Sequence, residues 1–227
     1  MSAKIIDVFL MFTADERNTL TTTVGKKRKV VLSKGPNWQG LIRVAKKAEI
    51  TLNVYGPSKS VNAQAITDSF AKSSATIIVG HGAGSIVGKN WVSNQIKLSD
   101  GTIIAPDGTS PGGLVVGNWE GGRLTPASSA APVKPKINDV TGLFTCNSHD
   151  KLRDMFDVPA GSELVSNDGG KDGFTRIGTL EQAAYEFIES FIRNGNVSKS
   201  AAKAQAVFKR SGEVFQGDKG DTILLKP

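Results

Sequence analysis

The chain has 227 residues, which is more than a typical single domain and short for two. Hydrophobic residues make up 39% and charged residues 22%, so the composition supports a packed core and excludes wholesale disorder. The 25 glycines and the low aromatic content of 7% favour an α/β domain with functional loops over a plain helical bundle. No apolar run approaches about 20 residues, so no membrane-spanning helix is predicted.

The formal net charge is +7, and part of it lies in the run Lys26-Lys27-Arg28-Lys29. Such a charge can favour nucleic acid or another anionic partner. No aromatic residue interleaves with the run and no nucleic-acid motif accompanies it, so a solvated surface turn is favoured over a functional basic patch. We therefore expect neither nucleic acid nor a membrane as a partner.

The first half of the chain predicts alternating strands and helices. Residues 5–12 indicate a buried strand and not a signal peptide, because no small-residue cleavage site follows them. Ser60 is the predicted N-cap of the second helix. The further predicted elements are a strand at 29–33, a helix at 38–48, a strand at 50–55, a helix from 60 to 70 and a short strand at 76–79.

The second half begins with a predicted hairpin and ends with two helices. Thr179 and Gln182 have the spacing of a capping box, Gly195 is the predicted end of that helix, and Ser198 is the predicted cap of the last one. The other predicted elements are a hairpin at 95–104, a strand at 112–119, a mobile surface loop at 121–136, a strand at 140–145, a helix at 150–156, and strands at 163–166 and 222–225. Together they predict a single α/β domain over residues 1–227, a three-layer α/β/α sandwich with a central, mostly parallel sheet.

Thiol and imidazole chemistry has few candidates in this chain. Cys146 is the single cysteine, and His81 and His149 are the two histidines. An intramolecular disulfide is impossible, so a reducing, cytoplasmic location is expected. A zinc site of four Cys and His ligands is excluded unless carboxylates join it, and we expect neither a metal nor an organic cofactor.

The positions of His81 and Cys146 are the most informative feature of the sequence. Each directly follows an apolar predicted strand. If the two strands are parallel neighbours, both side chains emerge at one sheet edge, where ligands bind in open α/β sheets. A thiol and an imidazole there can form a nucleophile and base, with the Gly82 and Cys146 amides as oxyanion donors. Taken alone, a lone cysteine is more often a small buried hydrophobe, and a lone histidine is more often structural. Their joint placement beside glycines favours catalysis.

Two short motifs resemble those of caspase-like (clan CD) cysteine peptidases. Val79-Gly80-His81-Gly82 is similar to their His-Gly motif, and Leu143-Phe144-Thr145-Cys146-Asn147-Ser148 is similar to the motif of the nucleophilic cysteine. The bacterial CHAT type, related to separase, is the most similar, although Thr145 stands where alanine is usual. The resemblance implies a caspase–haemoglobinase fold, a His81/Cys146 dyad and cleavage of protein or peptide substrates after a selected P1 residue. It also implies activity gated by a partner, a ligand or self-cleavage, with the 121–136 loop as a candidate for cutting.

In this family the loops after the cysteine strand and the next strand line the specificity pocket. Asp168 is the first candidate there and Asp150 another, and a buried carboxylate would favour Arg or Lys at P1. These acids are more often solvated loop or cap residues. Nearby basic residues, including Arg176, leave an acidic P1 preference open.

The same residues allow several rival interpretations. His149 is a competing base, but it lies close after Cys146 in the chain and is badly placed to flank a substrate. The glycine-rich run 80–89 departs from the phosphate-binding, dinucleotide-binding and nucleophile-elbow patterns. A metal site formed by His81, Cys146, His149 and an aspartate is conceivable. The non-enzymatic rival is a binding module or inactive pseudo-peptidase, in which Cys146 is unreactive.

Overall fold

The computed structural model describes most of the chain. The described residues are 4–18, 20–24, 27–31, 35–57, 61–87, 90–98, 103–106, 114–120, 123–126, 135–145, 156–168, 176–211 and 221–225. In chain order the elements are β1 (Lys4–Met11), α1 (Ala14–Asn18), β2 (Leu20–Val24), β3 (Lys27–Val31), α2 (Trp38–Lys47), β4 (Ile50–Tyr55), α3 (Ala63–Lys72), β5 (Ala75–Gly80), β6 (Gly82–Val87), β7 (Asn90–Lys97), β8 (Ile103–Pro106), β9 (Leu114–Glu120), β10 (Arg123–Pro126), β11 (Val140–Thr145), β12 (Glu163–Asp168), α4 (Ile177–Asn194), α5 (Val197–Ser211) and β13 (Asp221–Leu225).

A six-stranded sheet forms the centre of the fold, in the order β13-β12-β11-β5-β1-β4. Every neighbouring pair is parallel except β12 and β13, which are antiparallel at one edge of the sheet. The inner strands β5 and β11 are buried along their whole length. This is expected of parallel strands covered by helices on both faces. The predicted mostly parallel central sheet is therefore confirmed.

The two faces of the sheet carry separate hydrophobic clusters. Side chains alternate along β1, so that Ile6 and Val8 pack into the first cluster while Phe9 and Met11 pack into the second. Helices α2, α4 and α5 supply apolar side chains to the first cluster, and α3 supplies them to the second. Helices thus cover both faces, and the predicted three-layer α/β/α arrangement is confirmed.

The middle of the chain forms a second sheet that was only partly predicted. Its five strands are antiparallel, in the order β10-β9-β8-β7-β6. Strands β7 and β8 confirm the predicted hairpin, and β9 confirms the strand predicted at 112–119. The sequence did not predict β6, whose glycines and small residues give little strand signal. It also did not predict β10, which lies inside the segment interpreted as a loop; residues 127–134 of that segment lie outside the described residues.

The strand predicted at 29–33 corresponds to β3, but among the described strands β3 pairs with β2 alone, in a separate two-stranded hairpin. Lys27, Arg28 and Lys29 are strand residues of this hairpin. The prediction that the whole basic run forms a turn is therefore wrong. Lys26 lies between the two strands, outside the described residues.

Three predicted helix starts are displaced by two or three residues. The N-cap of α3 is Asn62 and not Ser60, because the Asn62 side chain accepts a hydrogen bond from the Ala65 N–H. Helix α4 begins at Ile177 with no side-chain cap, so the predicted capping box at Thr179 is wrong. Asn196, not Ser198, accepts from a backbone N–H in the first turn of α5. The predicted end of α4 is confirmed, since Gly195 adopts a left-handed φ of 64°.

Candidate active site

The carboxyl ends of β5 and β11 meet at one edge of the central sheet. The two strands are parallel neighbours, and the last residue of each pairs with the other, Gly80 with Thr145. His81 follows Gly80 directly. Cys146 follows Thr145 directly in the chain, although its own position lies outside the described residues. The register therefore brings the backbone that leads into both predicted dyad residues to the same rim.

Close packing and one side-chain contact hold these strand ends. A side chain on Gly80 would place its Cβ 3.1 Å from the Met11 Cβ, so a glycine lets β5 lie close to β1 there. On the other side, the Asn167 amide of β12 donates to the carbonyl oxygen of Thr145 over 3.4 Å. Both Asn167 and Thr145 are fully buried. The residue before Cys146 is thus tied to the neighbouring strand through its own backbone.

His81 has a carboxylate partner that the sequence did not identify. Its Nε2 lies 3.3 Å from Oε1 of Glu16, and both side chains are about one-third exposed, at 38% and 34%. This is an ion-pair distance without hydrogen-bond alignment, and within the described part of the chain the buried Nε2 atom has no hydrogen-bond partner.

A capping box on α1 fixes the other half of the Glu16 carboxylate. Thr13 precedes the helix, its Oγ1 accepts from the Glu16 N–H over 3.2 Å, and Glu16 Oε2 accepts from the Thr13 N–H over 2.7 Å. This reciprocal pair satisfies donors at the helix start. It also leaves Oε1 directed toward His81. The spacing Thr13-x-x-Glu16 is visible in the sequence, but it gives no sign of the contact with the distant imidazole.

The charges around His81 have opposing effects on its pKa. Burial of the imidazole is the largest effect and lowers the pKa; the Glu16 carboxylate raises it, and the Lys97 ammonium lowers it again. The net pKa lies below the usual value, so the ring is neutral at pH 7. For Glu16, burial acts to raise the pKa, but the Thr13 N–H and His81 outweigh it, and the net pKa is lowered. The site therefore presents a neutral base next to an ionised carboxylate.

A buried ion pair anchors α1 to the core. Arg17 Nη2 lies 2.6 Å from Oε1 of Glu181 on α4, and Trp38 Nε1 donates to the same oxygen over 2.8 Å. The Glu181 side chain is fully buried, whereas that of Arg17 is 18% exposed. The Arg17 guanidinium also lies over the Phe12 ring, 5.4 Å from its centroid. Glu16 and Arg17 are adjacent, so this anchor also sets the position of the carboxylate beside His81.

The backbone pairing of β6 and β7 sets the direction of the Gly82 N–H. The Lys97 N–H donates to the His81 carbonyl over 3.0 Å, and Gly82 pairs with Ile96 in the β6–β7 ladder. This pattern makes Gly82 and Ile96 a non-hydrogen-bonded pair. The Gly82 N–H consequently points away from β7, and β6 is the edge strand of its described sheet.

The predicted substrate-binding acids are placed only in part. Asp168 is the last residue of β12 and pairs with Asp221 of β13, so the prediction that it lies in a loop beyond the strand is wrong. The β11–β12 register pairs Leu143 with Ser166, which sets Asp168 level with Thr145 at the same rim. Asp150, His149 and the helix predicted at 150–156, apart from Phe156, lie outside the described residues. Among the described residues there is no cluster of three or more His, Cys, Asp or Glu that could hold a metal ion.

No protein-family model matches the chain, and no curated protein matches it significantly. A similar solved structure is that of the Drosophila initiator caspase Dronc, with 11% sequence identity and a TM-score of 0.47 over 98% of this chain and 79% of that chain. The α/β assignment rests on the sheet order and the strand directions. The similarity to the CHAT type stays a prediction from the two motifs. Of the helices in the described ranges, none has both the length and the apolar character to cross a membrane.

Proposed function

We propose that the chain is a caspase-like cysteine endopeptidase that uses Cys146 as nucleophile and His81 as general base and acid. One observation carries the proposal: β5 and β11 are parallel neighbours that end in register at Gly80 and Thr145. His81 directly follows β5 in the chain, and Cys146, the single cysteine of the sequence, directly follows β11. Ligands of open parallel sheets bind at such carboxyl ends.

The proposed reaction needs no metal and no cofactor. The neutral His81 imidazole takes the Cys146 proton, and the thiolate sulfur forms a bond to the carbonyl carbon of the scissile peptide while the carbonyl electron pair moves onto oxygen. Collapse of this intermediate breaks the C–N bond, and the imidazolium gives its proton to the leaving amine. A water molecule then attacks the thioester carbonyl while His81 accepts its proton. Collapse of this second intermediate breaks the C–S bond, the imidazolium returns the proton to the Cys146 sulfur, and the acid product leaves.

Gly82 and Cys146 are proposed as the oxyanion donors. The outward direction of the Gly82 N–H, set by the Lys97–His81 backbone bond, supports the first of them. Asp168 is proposed to bind the P1 side chain because the strand register brings it to the same rim, and Asp150 is proposed as a second contact. A carboxylate there favours Arg or Lys at P1.

The proposal extends to regulation and setting. We propose one peptidase domain over residues 1–227, gated by a partner, a ligand or self-cleavage within 121–136. A thiol nucleophile and a single cysteine suit a reducing, cytoplasmic setting. The partners proposed are protein or peptide substrates and an activating partner or ligand.

A positional-scanning library of fluorogenic peptides tests the activity and the P1 preference together. Wild type is expected to cleave peptides with Arg or Lys at P1, Cys146→Ala to lose the activity, and His81→Ala to lose about 100-fold or more. His149→Ala is the matched control and is expected to remain active. Preference for Asp or an apolar P1 residue would end the basic-P1 proposal.

A covalent probe separates an inactive protein from one that awaits activation. Peptidyl chloromethyl ketones with Arg or Asp at P1 are offered to the full chain before and after limited proteolysis, and intact mass reports the adduct. Alkylation at Cys146 that depends on His81 supports the peptidase. Failure to alkylate Cys146 in either form, with the thiol titrating normally after denaturation, would support the pseudo-peptidase alternative.

A further inference from the structure

We infer that Glu16 is the positioning residue of the site: its carboxylate, at ion-pair distance from Nε2 of His81, favours a proton on Nε2 and leaves Nδ1 as the atom that accepts the Cys146 proton. The inference rests on the proposed function and extends the dyad to a third side chain. Its basis is the 3.3 Å contact between Glu16 Oε1 and His81 Nε2. The two ring nitrogens of histidine are distinct, and the partner of one decides the role of the other.

The carboxylate is held from two directions, which a chance surface contact would not require. The capping box binds Oε2 to the Thr13 N–H at 2.7 Å, while Oε1 lies 3.3 Å from Nε2 of the imidazole. The neighbouring Arg17 is locked to the buried Glu181 at 2.6 Å. Helix α1 has little freedom to slide, and Glu16 is presented to His81 by the fold and not by a flexible chain end.

The Glu16 carboxylate opposes the other electrostatic effects on the His81 imidazolium. Lys97 disfavours the imidazolium that forms when the thiol is deprotonated, and burial of the ring acts in the same direction. Glu16 is the described acidic group that opposes both effects. The carboxylate therefore stabilises the imidazolium stage of each proton transfer and fixes the neutral ring as the Nε2–H tautomer.

The proton movements stay balanced with this assignment. The Cys146 proton moves to Nδ1, the Nε2–H proton stays between His81 and Glu16, and Nδ1 later passes its proton to the leaving amine. Glu16 accepts no proton overall. It acts through the orientation and charge of His81, which makes it a positioning residue and not a catalytic one.

The central test variant is Glu16→Gln, which keeps a side chain able to complete the capping box but removes the charge. Thr13→Ala is the matched control for the cap, since it removes the hydroxyl and leaves the carboxylate. Glu189→Gln, in a surface pair with Arg193, is the control for net charge. Imidazole ¹⁵N and ¹H shifts, assigned by the signals lost in His81→Ala, report the tautomer and the pKa of His81 without any substrate.

In wild type the neutral ring is expected as the Nε2–H tautomer, and Glu16→Gln is expected to lower the pKa of His81. Alkylation of Cys146 by iodoacetamide near pH 7 is expected to slow about five- to tenfold, from the size of partly exposed charged contacts. The Glu189→Gln control is expected to stay within about twofold of wild type, whereas Thr13→Ala, which weakens the cap that holds Glu16 but keeps its charge, should lower the pKa of His81 less than Glu16→Gln does. If the chain cleaves the peptide substrates, Glu16→Gln should lower kcat with little change in KM.

An Nδ1–H tautomer in wild type, or an unchanged His81 pKa in Glu16→Gln, would overturn the inference whatever the peptidase result. A failed peptidase assay with a lowered His81 pKa and slower Cys146 alkylation would instead reject the proposed function and leave the Glu16–His81–Cys146 coupling standing.

Discussion

Replacing Glu181 by alanine is expected to destabilise the fold by about 3 kcal/mol. The substitution removes the oxygen that binds Arg17 at 2.6 Å and Trp38 at 2.8 Å. Each lost hydrogen bond to a charged group costs about 1.5–3 kcal/mol. The net destabilisation is smaller than the sum of the two losses, because the substitution also removes the cost of desolvating the buried carboxylate. The raised pKa of Glu181, caused mainly by burial, is the sign of that cost.

Urea unfolding, followed by circular dichroism, measures the effect. With a slope of about 2–3 kcal/mol per molar urea, the midpoint should fall by about 1–1.5 M. Glu186→Ala on the same helix is the control: its described side-chain partner is Gln182, and the change is expected to cost under about 0.5 kcal/mol. Arg17→Met in both backgrounds completes a double-mutant cycle, with an expected coupling of about 1–2 kcal/mol.

The Glu181→Ala variant should also change the pKa of His81. Loss of the Arg17 anchor loosens α1, so the Glu16 carboxylate is held less firmly and the pKa of His81 is expected to fall in Glu181→Ala. A destabilisation under about 1 kcal/mol together with an unchanged His81 titration would refute the view that this buried pair positions the helix.

Three further predictions concern the frame of the site. Gly142→Ala in β11 should cost about 1–3 kcal/mol, because the new Cβ would lie 2.8 Å from Ile77 Cδ1; an unchanged urea midpoint would contradict this packing. Asn62→Ala should cost about 1 kcal/mol through loss of the α3 cap, while Asn62→Ser should recover most of it, and equal midpoints for the two variants would argue against the cap. The folded-state pKa of Glu181 is raised above the ordinary 4.5, so its contribution to stability is present below that value and lost as the pH rises through the folded-state pKa. Wild type should therefore lose stability relative to Glu181→Gln as the pH rises above 4.5, and a pH-independent difference would reject this sign.

The sequence predicted the central sheet well because its strands are nearly continuous apolar runs. Residues 140–145 and 76–79 are buried on both faces in the structure. A strand buried on both faces is a continuous apolar run in the sequence, so it can be recognised without an alternation of apolar and polar residues. The rule that parallel strand ends share an edge then predicted one rim for His81 and Cys146. The register of Gly80 with Thr145 gives that prediction its structural support.

Helix starts were predicted less well because local signals compete with packing. Thr179 has the spacing of a cap, yet it is 5% exposed and lies inside α4, where its helix face meets the core. Ser60 and Asn62 are both good caps, and the choice between them depends on where the chain meets the sheet. No local pattern decides that.

Glu16 was missed for a different reason. Its contact with His81 joins helix α1 to the residue between β5 and β6, and it depends on the Arg17–Glu181 pair that holds α1 in place. Single-sequence patterns report periodicity and caps, and both describe only neighbours along the chain. A contact between two rim segments follows from the sheet order, which the structure alone supplies.

The most direct test of the dyad is the pH dependence of Cys146 alkylation in wild type and His81→Ala. Iodoacetamide reacts with the thiolate, so the rate profile reports how much the imidazole promotes it. The account predicts a wild-type profile that begins well below the ordinary thiol pKa near 8.5 and moves up to that value in His81→Ala. Profiles that coincide near 8.5 in both proteins, in the proteolysed as well as the intact chain, would contradict a dyad at this rim.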